Sequence, residues 1–405
     1  MRIQLWSYNY DPEPTGIGPV SKVLAQGLLQ RGHDVSVVAA HAHYPAPVWG
    51  TRLLPYRETR DGIPVLRLPL WVGRGSAAER YRQELTFLAA QMAATPWLGR
   101  PDVLVSASPS FPALLPAMLN ARARRVPWAI WLHDILPDGA AATGLVDEGR
   151  LLSAARGFER AAYARADRIV VLSSAFTVNL VEKGVPEDKI SLIYDPATRR
   201  PQAAGNGHGP SRPPRLLSMG NIGFSQGLAP LVGAFERSTV LAGTPVKLAI
   251  TGNGVAAEDV RRELITDRVE MLGVVDDASL EAQLQQASVA LVTQHHEGAE
   301  FNIPSKLMNF MAYGLPVLAA VNPTGEVARI VEAAGAGWVV DSARPEAFPA
   351  KVKEILEAPD DIERRGEAAR RYAQEHFSVD RFATRFDETL RELADRPAGR
   401  FGRSR

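Results

Sequence analysis

The chain has no cysteine, which removes disulfides, thiolate metal sites and cysteine nucleophiles together. No apolar run approaches the roughly 20 residues that a membrane-spanning helix requires. The opening stretch, Met1-Arg-Ile-Gln-Leu-Trp-Ser-Tyr-Asn-Tyr10, is too short and too polar to read as a signal peptide. Charge of one sign is also lacking: 46 basic and 45 acidic residues leave a formal net charge of +1, so nucleic acid is not an expected partner. The basic residues are dispersed, apart from Arg122, Arg124 and Arg125 and a tail with Arg396, Arg400, Arg403 and Arg405. Together these absences lead us to expect a protein that is soluble or at most rests on a membrane surface, and the missing cysteine is compatible with a reducing cytoplasm.

At 405 residues the chain suits two domains of about 200 residues each. Its hydrophobic share of 46% and charged share of 22% are those of a globular protein. Short apolar runs alternate with longer helical patterns, the signature of βαβ units around parallel sheets. Ile3–Trp6, Val35–Ala39, Val65–Leu68, Val103–Ala107, Trp128–Leu132 and Ile169–Leu172 read as buried strands, being almost wholly apolar. A helix is expected from Val20 to Arg31. The run RRPQAAGNGHGPSRPP from Arg199 to Pro214 breaks this rhythm and reads as a linker. The pattern then restarts with strands at Arg215–Met219, Lys247–Thr251, Val289–Thr293 and Pro316–Ala320 and helices at Leu228–Glu236 and Pro304–Tyr313. The spacing therefore predicts an α/β protein with Rossmann-like domains over 1–198 and 215–378, a linker over 199–214, and a last helix over 379–394.

Chemistry concentrates where strands end, the edge at which open α/β sheets bind ligands. Pro12-Glu-Pro-Thr-Gly-Ile-Gly-Pro19 follows the first strand, and its Gly16 and Gly18 allow close backbone approach to an anion. The dinucleotide fingerprint is incomplete, since Ser21 stands where its last glycine is needed. Nor does an acidic residue end the second strand, where Ala39-Ala40-His41 stands, so a nicotinamide-dependent oxidoreductase is a poor fit. His133 and Asp134 end the strand Trp128–Leu132, with Asp138 close behind; the imidazole can bond a sugar hydroxyl, or the pair can cap a helix. Gly220-Asn-Ile-Gly-Phe-Ser-Gln-Gly227 opens the second half as a phosphate cradle built on Gly220, Asn221, Gln226 and Gly227. Gly252-Asn-Gly254 and Leu272-Gly273-Val274-Val275 end two further strands.

The most informative stretch is Gln294-His-His-Glu-Gly-Ala-Glu-Phe-Asn-Ile-Pro-Ser-Lys-Leu-Met-Asn309. Pro304 suits a first helical turn, and Ser305 and Lys306 follow it, aiming backbone N–H groups and a cation at an anion such as a diphosphate. A lysine in a first turn opposes the helix dipole, so its presence calls for a ligand. His295, His296 and Glu297 invite a zinc reading, but adjacent histidines on a strand end are expected to point oppositely, and no metal site is expected.

At these residues the chain resembles glycosyltransferase family 4 with the GT-B architecture, and within it the bacterial colanic-acid and O-antigen transferases. The likeness runs through Pro14-Thr-Gly-Ile-Gly18, His133-Asp-Ile-Leu-Pro-Asp138, Gly220-Asn-Ile-Gly223 with Gln226-Gly227, Pro304-Ser-Lys306 through Gly314-Leu-Pro-Val317, and Gly325-Glu326. It implies two Rossmann-like domains facing a central cleft, with a UDP- or GDP-sugar as donor substrate and no cofactor. The acceptor would be a saccharide, a lipid-linked sugar or a small molecule. Gly16 and Gly18 would approach the diphosphate and sugar, His133 the donor sugar, Gly273 and Val274 the base, and Ser305 with Lys306 the diphosphate. Asn302, Ile303 and Glu300 fall in the same segment. Transfer would proceed with retention and without metal, by front-face displacement, in synthesis of cell-surface polysaccharide or glycoconjugate at the inner face of the plasma membrane. Departures are visible: Asn309 and Phe301 stand where the family commonly carries glutamates, Glu300 being adjacent to the latter. Asn221 and Gln226 replace the usual Arg and Lys. The alternatives are glycosylation of a natural product, or a non-catalytic sugar-nucleotide-binding protein.

Overall fold

A computed structural model describes residues 1–14, 16–43, 53–73, 77–108, 113–134, 150–199, 201, 213–296 and 303–395. The chain divides between Tyr194 and Asp195, and again between Ser378 and Val379.

The first unit holds strands β1 (Arg2–Ser7), β2 (Asp34–Ala40), β3 (Tyr56–Arg60), β4 (Ile63–Leu68), β5 (Val103–Ser108), β6 (Trp128–Leu132), β7 (Arg168–Val171) and β8 (Ile190–Leu192). Its described helices are α1 (Gly18–Gln30), α2 (Ala77–Ala94), α3 (Leu114–Arg124), α4 (Arg150–Arg165) and α5 (Ser174–Glu182). The sheet order is β3-β4-β2-β1-β5-β6-β7-β8, parallel throughout except for the antiparallel edge pair β3–β4. The second unit holds β9 (Arg215–Met219), α6 (Leu228–Glu236), β10 (Lys247–Thr251), α7 (Ala257–Arg262), β11 (Val269–Gly273), α8 (Asp277–Gln286) and β12 (Val289–Thr293). It continues with α9 (Ser305–Ala312), β13 (Val317–Val321), α10 (Glu326–Ala333), β14 (Gly337–Asp341), α11 (Phe348–Leu356) and α12 (Pro359–His376). Its sheet runs β11-β10-β9-β12-β13-β14, all parallel.

Both sheets are doubly wound, with the strand order reversing beside β1 in one and β9 in the other. Such switch points open a crevice beyond the carboxyl ends of the strands. Central strands β5, β6, β12 and β13 are buried along their whole length, because helices cover both faces; this is why they read as unbroken apolar runs. Each unit has its own core, one around Leu5, Val37, Val105 and Trp131, the other around Leu216, Leu248, Leu291 and Phe348.

The last helix, α13 (Val379–Ala394), packs against α1 in the first unit. Its inward face of Phe382, Phe386, Leu390 and Leu393 is fully buried, following the i+3 and i+4 spacing of an amphipathic helix. Gly27 on α1 makes the contact close: a Cβ there would lie 2.5 Å from the Ala383 Cβ. Arg31 bonds the Asp380 carboxylate at 2.6 Å and Thr384 at 2.7 Å. Among the described residues, no helix is long and apolar enough to cross a membrane.

Candidate functional site

In the second unit the loops leaving β9, β10 and β11 are laced together by backbone. Gly220 N–H donates to Thr251 O at 2.9 Å, Ile222 N–H to Asn253 O at 3.0 Å, and Gly252 N–H to Gly273 O at 2.7 Å. Gly252 (φ +123°) packs so closely that a Cβ would stand 1.9 Å from the Gly220 carbonyl oxygen. Gly254 is similarly confined, its missing Cβ falling 2.4 Å from Ile222 O and 2.7 Å from Asn221 Oδ1. These glycines let three strand ends converge on one edge, which side chains would hold apart.

Across the switch point the β9 loop meets the segment after β12. His295 N–H donates to Ser225 O at 2.8 Å, and Gly227 (φ +59°) leaves room for the His295 backbone, 3.2 Å from where its own Cβ would be. From the start of α9, Lys306 Nζ donates to Gln226 Oε1. Burial lowers the Lys306 pKa to about 8, because the amine is only partly open to water and crowded by protein. At neutral pH it remains predominantly charged. Ser305 beside it is exposed, and Pro304 precedes the helix without a side-chain cap. An exposed first turn, a cation and the positive end of the helix thus converge, an arrangement that attracts phosphate oxygens. Val274, 79% exposed, projects from the end of β11 beside Gly273 (φ +69°).

The site residues expected from the sequence separate into three groups, with Asn309 apart from them. Gly220, Asn221, Gln226, Gly227, Gly273, Val274, Ile303, Pro304, Ser305 and Lys306 stand on loops and helix starts of the second unit, at the carboxyl edge of its sheet. Gly16, Gly18, His133 and Asp134 occupy the carboxyl edge of the first. Asp138, Glu300 and Asn302, with Phe301 and Glu297, lie outside the described residues. Asn309 is buried on α9, and its Oδ1 accepts a hydrogen bond from the Arg199 backbone amide at 3.0 Å.

His133 directly follows β6, with its ring centroid 4.4 Å from that of Trp131. Burial depresses its pKa to about 3, so at neutral pH it is a neutral imidazole that can bond a hydroxyl but brings no charge. The two histidines after β12 do not diverge as strand alternation suggested. They stand beyond the strand end, where the alternation no longer applies, and their ring centroids are 4.5 Å apart.

One structuring group was not singled out from sequence. Glu13 is buried, with Oε1 accepting from Asn9 Nδ2 and from His43 N–H, both at 3.0 Å, and Oε2 accepting from Tyr10 N–H at 3.3 Å. Its carbonyl oxygen lies 2.8 Å from where a Gly18 Cβ would be. The carboxylate therefore shapes the Gly16–Gly18 loop and ties it to the end of β2. A glutamate between two prolines was its only sequence signal. Ser21, which breaks the dinucleotide fingerprint, is fully buried and shares a 2.9 Å hydrogen bond with Ser7.

Comparisons with known proteins bear on the family and the fold. Residues 15–195 match the family model for a glycosyl transferase 4-like domain, and residues 204–372 that for glycosyl transferases group 1. A protein of Escherichia coli (strain K12) named as a colanic acid biosynthesis glycosyl transferase, WcaI, is 25% identical over 96% of this chain and 100% of its own length. A protein of Pseudomonas aeruginosa named as a glycosyltransferase, WbjE, is 25% identical over 69% of this chain and 72% of its own. Among solved structures, sucrose-phosphate synthase from Thermosynechococcus elongatus superposes with a TM-score of 0.73 at 18% identity, covering 97% of this chain and 99% of that one. Anabaena HepE in complex with UDP-glucose superposes at 0.66 with 16% identity, covering 97% and 100%. The chain therefore belongs to the family 4 glycosyltransferases of GT-B fold, a glycosyl transferase 4-like domain followed by a group 1 domain.

Proposed function

We propose that the protein transfers a sugar from a UDP- or GDP-sugar to an acceptor hydroxyl, with retention at the anomeric carbon, in the synthesis of cell-surface polysaccharide or glycoconjugate. The observation that carries this reading is the start of α9. There Lys306, next to Ser305 in the first turn, meets Gln226 of the glycine-laced β9 loop at the switch point of the sheet. A nucleoside diphosphate laid along that edge would set its phosphates on α9 and its base against Gly273 and Val274. HepE, which shares the fold, has been solved with UDP and with UDP-glucose, and WcaI is named for colanic acid biosynthesis.

Chemically, the bond from the anomeric carbon to the phosphate oxygen breaks as the acceptor oxygen bonds that carbon on the same face. The acceptor proton passes to the departing phosphate. Charge builds on the diphosphate, where Lys306 and backbone donors stabilise it; a neutral His133 would bond the sugar. Among the described residues no group of three or more His, Asp or Glu side chains could hold a metal, and the proposed route uses none. The reading is tested by incubating the protein with UDP- and GDP-sugars and saccharide acceptors, with and without EDTA. The expected product keeps the donor's anomeric configuration, at a rate that EDTA does not change. An inverted product, or activity lost to EDTA and restored by manganese or magnesium, would overturn retention or metal independence respectively.

The acceptor side of the proposal is a lipid-linked saccharide met at a membrane surface. Tyr81, Leu85 and Met92 form one exposed stripe along α2, continued by Trp97 at 75% exposure and by Leu119 on the neighbouring α3. Phe87 faces inward, fully buried, and does not belong to that stripe. Of the arginine cluster, Arg124 is spent on the carbonyls of Leu98 and Thr95, both at 2.6 Å. Arg122 and Arg125 remain exposed to meet anionic headgroups. In liposome flotation with anionic lipid at low salt, wild type is expected to float and a Leu85→Asp/Trp97→Asp variant to stay in the soluble fraction. Wild type that stays soluble at every salt concentration would remove the membrane from the account.

A further inference from the structure

Two crossings join the units, at Tyr194–Asp195 and Ser378–Val379. Within the second unit, chain from beside both crossings comes together. Ala197 N–H donates to Phe377 O at 2.8 Å, and both residues are buried. Two residues later the Arg199 amide donates to Asn309 Oδ1 at 3.0 Å, a bond spanning 110 positions of sequence. The Arg199 guanidinium also meets the Asp277 carboxylate at 2.7 Å, but that pair is exposed and contributes little. Asn309, itself buried, therefore supplies a part-buried side-chain tie on this segment, beside the Ala197–Phe377 backbone bond.

The helix bearing Asn309 is α9, whose other end carries Ser305 and Lys306. Residues 305 and 309 lie one turn apart on the same helix face. Independently of Asn309, α9 is fixed by buried Leu307, Met308, Phe310 and Met311. At its far end it is fixed by α12: Arg370 donates to Tyr313 O at 3.3 Å, and Gly366 allows approach to the Gly314 carbonyl, 2.5 Å from its missing Cβ.

We infer that Asn309 is a positioning residue, tying the connecting segment after Tyr194 to the helix that grips the donor diphosphate, rather than a donor contact. This rests on the proposed function for the role of Ser305 and Lys306, but the tie itself, a backbone amide donating to a side-chain oxygen, can be read without any substrate. Removing the side-chain oxygen loosens the connecting segment at Arg199, beyond the Ala197–Phe377 bond, while α9 stays pinned by its buried face and α12. Nucleotide grip should then survive, and turnover should fall.

The test compares wild type with Asn309→Ala and Asn309→Asp in the full chain. Asn309→Ala is expected to keep its Kd for UDP or GDP within about threefold of wild type while turnover drops at least about tenfold. Asn309→Asp, which keeps an acceptor oxygen facing the Arg199 amide, should recover turnover to within about threefold. Hydrogen exchange at the Arg199 amide should quicken at least about tenfold in the Ala variant and stay slow in the Asp variant. Nucleotide affinity that falls in step with kcat/KM at unchanged kcat would make Asn309 a donor contact and overturn the proposal. An Asp variant no better than Ala in turnover, or unchanged exchange at Arg199 in the Ala variant, would overturn it as well. Wild type that neither binds a nucleoside diphosphate nor transfers sugar would instead sink the proposed function, while the exchange comparison still decides whether the tie exists.

Discussion

Lys306→Ala is expected to lower turnover at least about tenfold, some 1.4 kcal/mol of transition-state stabilisation, while leaving the thermal midpoint close to wild type. The amine is bonded to Gln226 Oε1 and partly open to water, so its loss should unbalance no packed core. What it removes is a cation aimed where charge grows as the diphosphate departs. Asn221 and Gln226 bring no charge to the glycine loop, so less remains to compensate. The sign of the pH effect follows from the same residue. Burial lowers the lysine pKa to about 8, and the protonated form is the one that attracts phosphate, so donor KM should rise as pH climbs through 8. Lys306→Arg, which keeps its charge at any accessible pH, should lose that dependence. Wild-type kinetics in Lys306→Ala with a working substrate pair would remove this residue from the mechanism.

Gly252→Ala should have the largest structural effect at the site. The new methyl would sit 1.9 Å from the Gly220 carbonyl oxygen, backbone against backbone, at a φ of +123° that side-chain-bearing residues rarely adopt. No rotamer relieves such a clash, so the β9 and β10 loops must part. A loss of at least about 3 kcal/mol in urea unfolding is expected, together with loss of nucleotide binding. Gly273→Ala is the internal control. It has φ +69° but nothing within 4 Å of the added carbon, so it should cost only about 1 to 2 kcal/mol of left-handed strain. Equal effects at the two positions would show that packing of the strand ends does not shape the cradle.

Much of this was legible in the sequence for one physical reason. Strands covered on both faces carry unbroken apolar runs, so the central strands β5, β6, β9, β10 and β12 could be read with their boundaries nearly correct. Edge strands carry no such run. Tyr56-Arg-Glu-Thr-Arg60 forms β3, antiparallel at the sheet margin with alternate residues exposed, and its polar character hid it. Strand β11, at the margin of the second sheet and only partly buried, was found only as a Gly-containing strand end. The glycine loops and the Pro304–Lys306 helix start were visible because φ > 0 and an uncapped first turn leave marks in residue type. Long-range ties leave none: nothing about Asn309 announces Arg199, and nothing about Glu13 announces Asn9, Tyr10 and His43 at once. The pair His295 and His296 misled because alternation was extended past the last residue of β12.

In the proposed function the start of α9 and the β9 glycine loop grip the diphosphate of a nucleotide sugar. Calorimetric titration of UDP and GDP, with the matching nucleosides and NADH alongside, into wild type and Lys306→Ala tests it most directly. One nucleoside diphosphate is expected to bind wild type, its nucleoside to bind far more weakly, and Lys306→Ala to erase most of the difference. Binding of NADH in preference to either nucleoside diphosphate, or a nucleoside diphosphate affinity indifferent to Lys306, would contradict it.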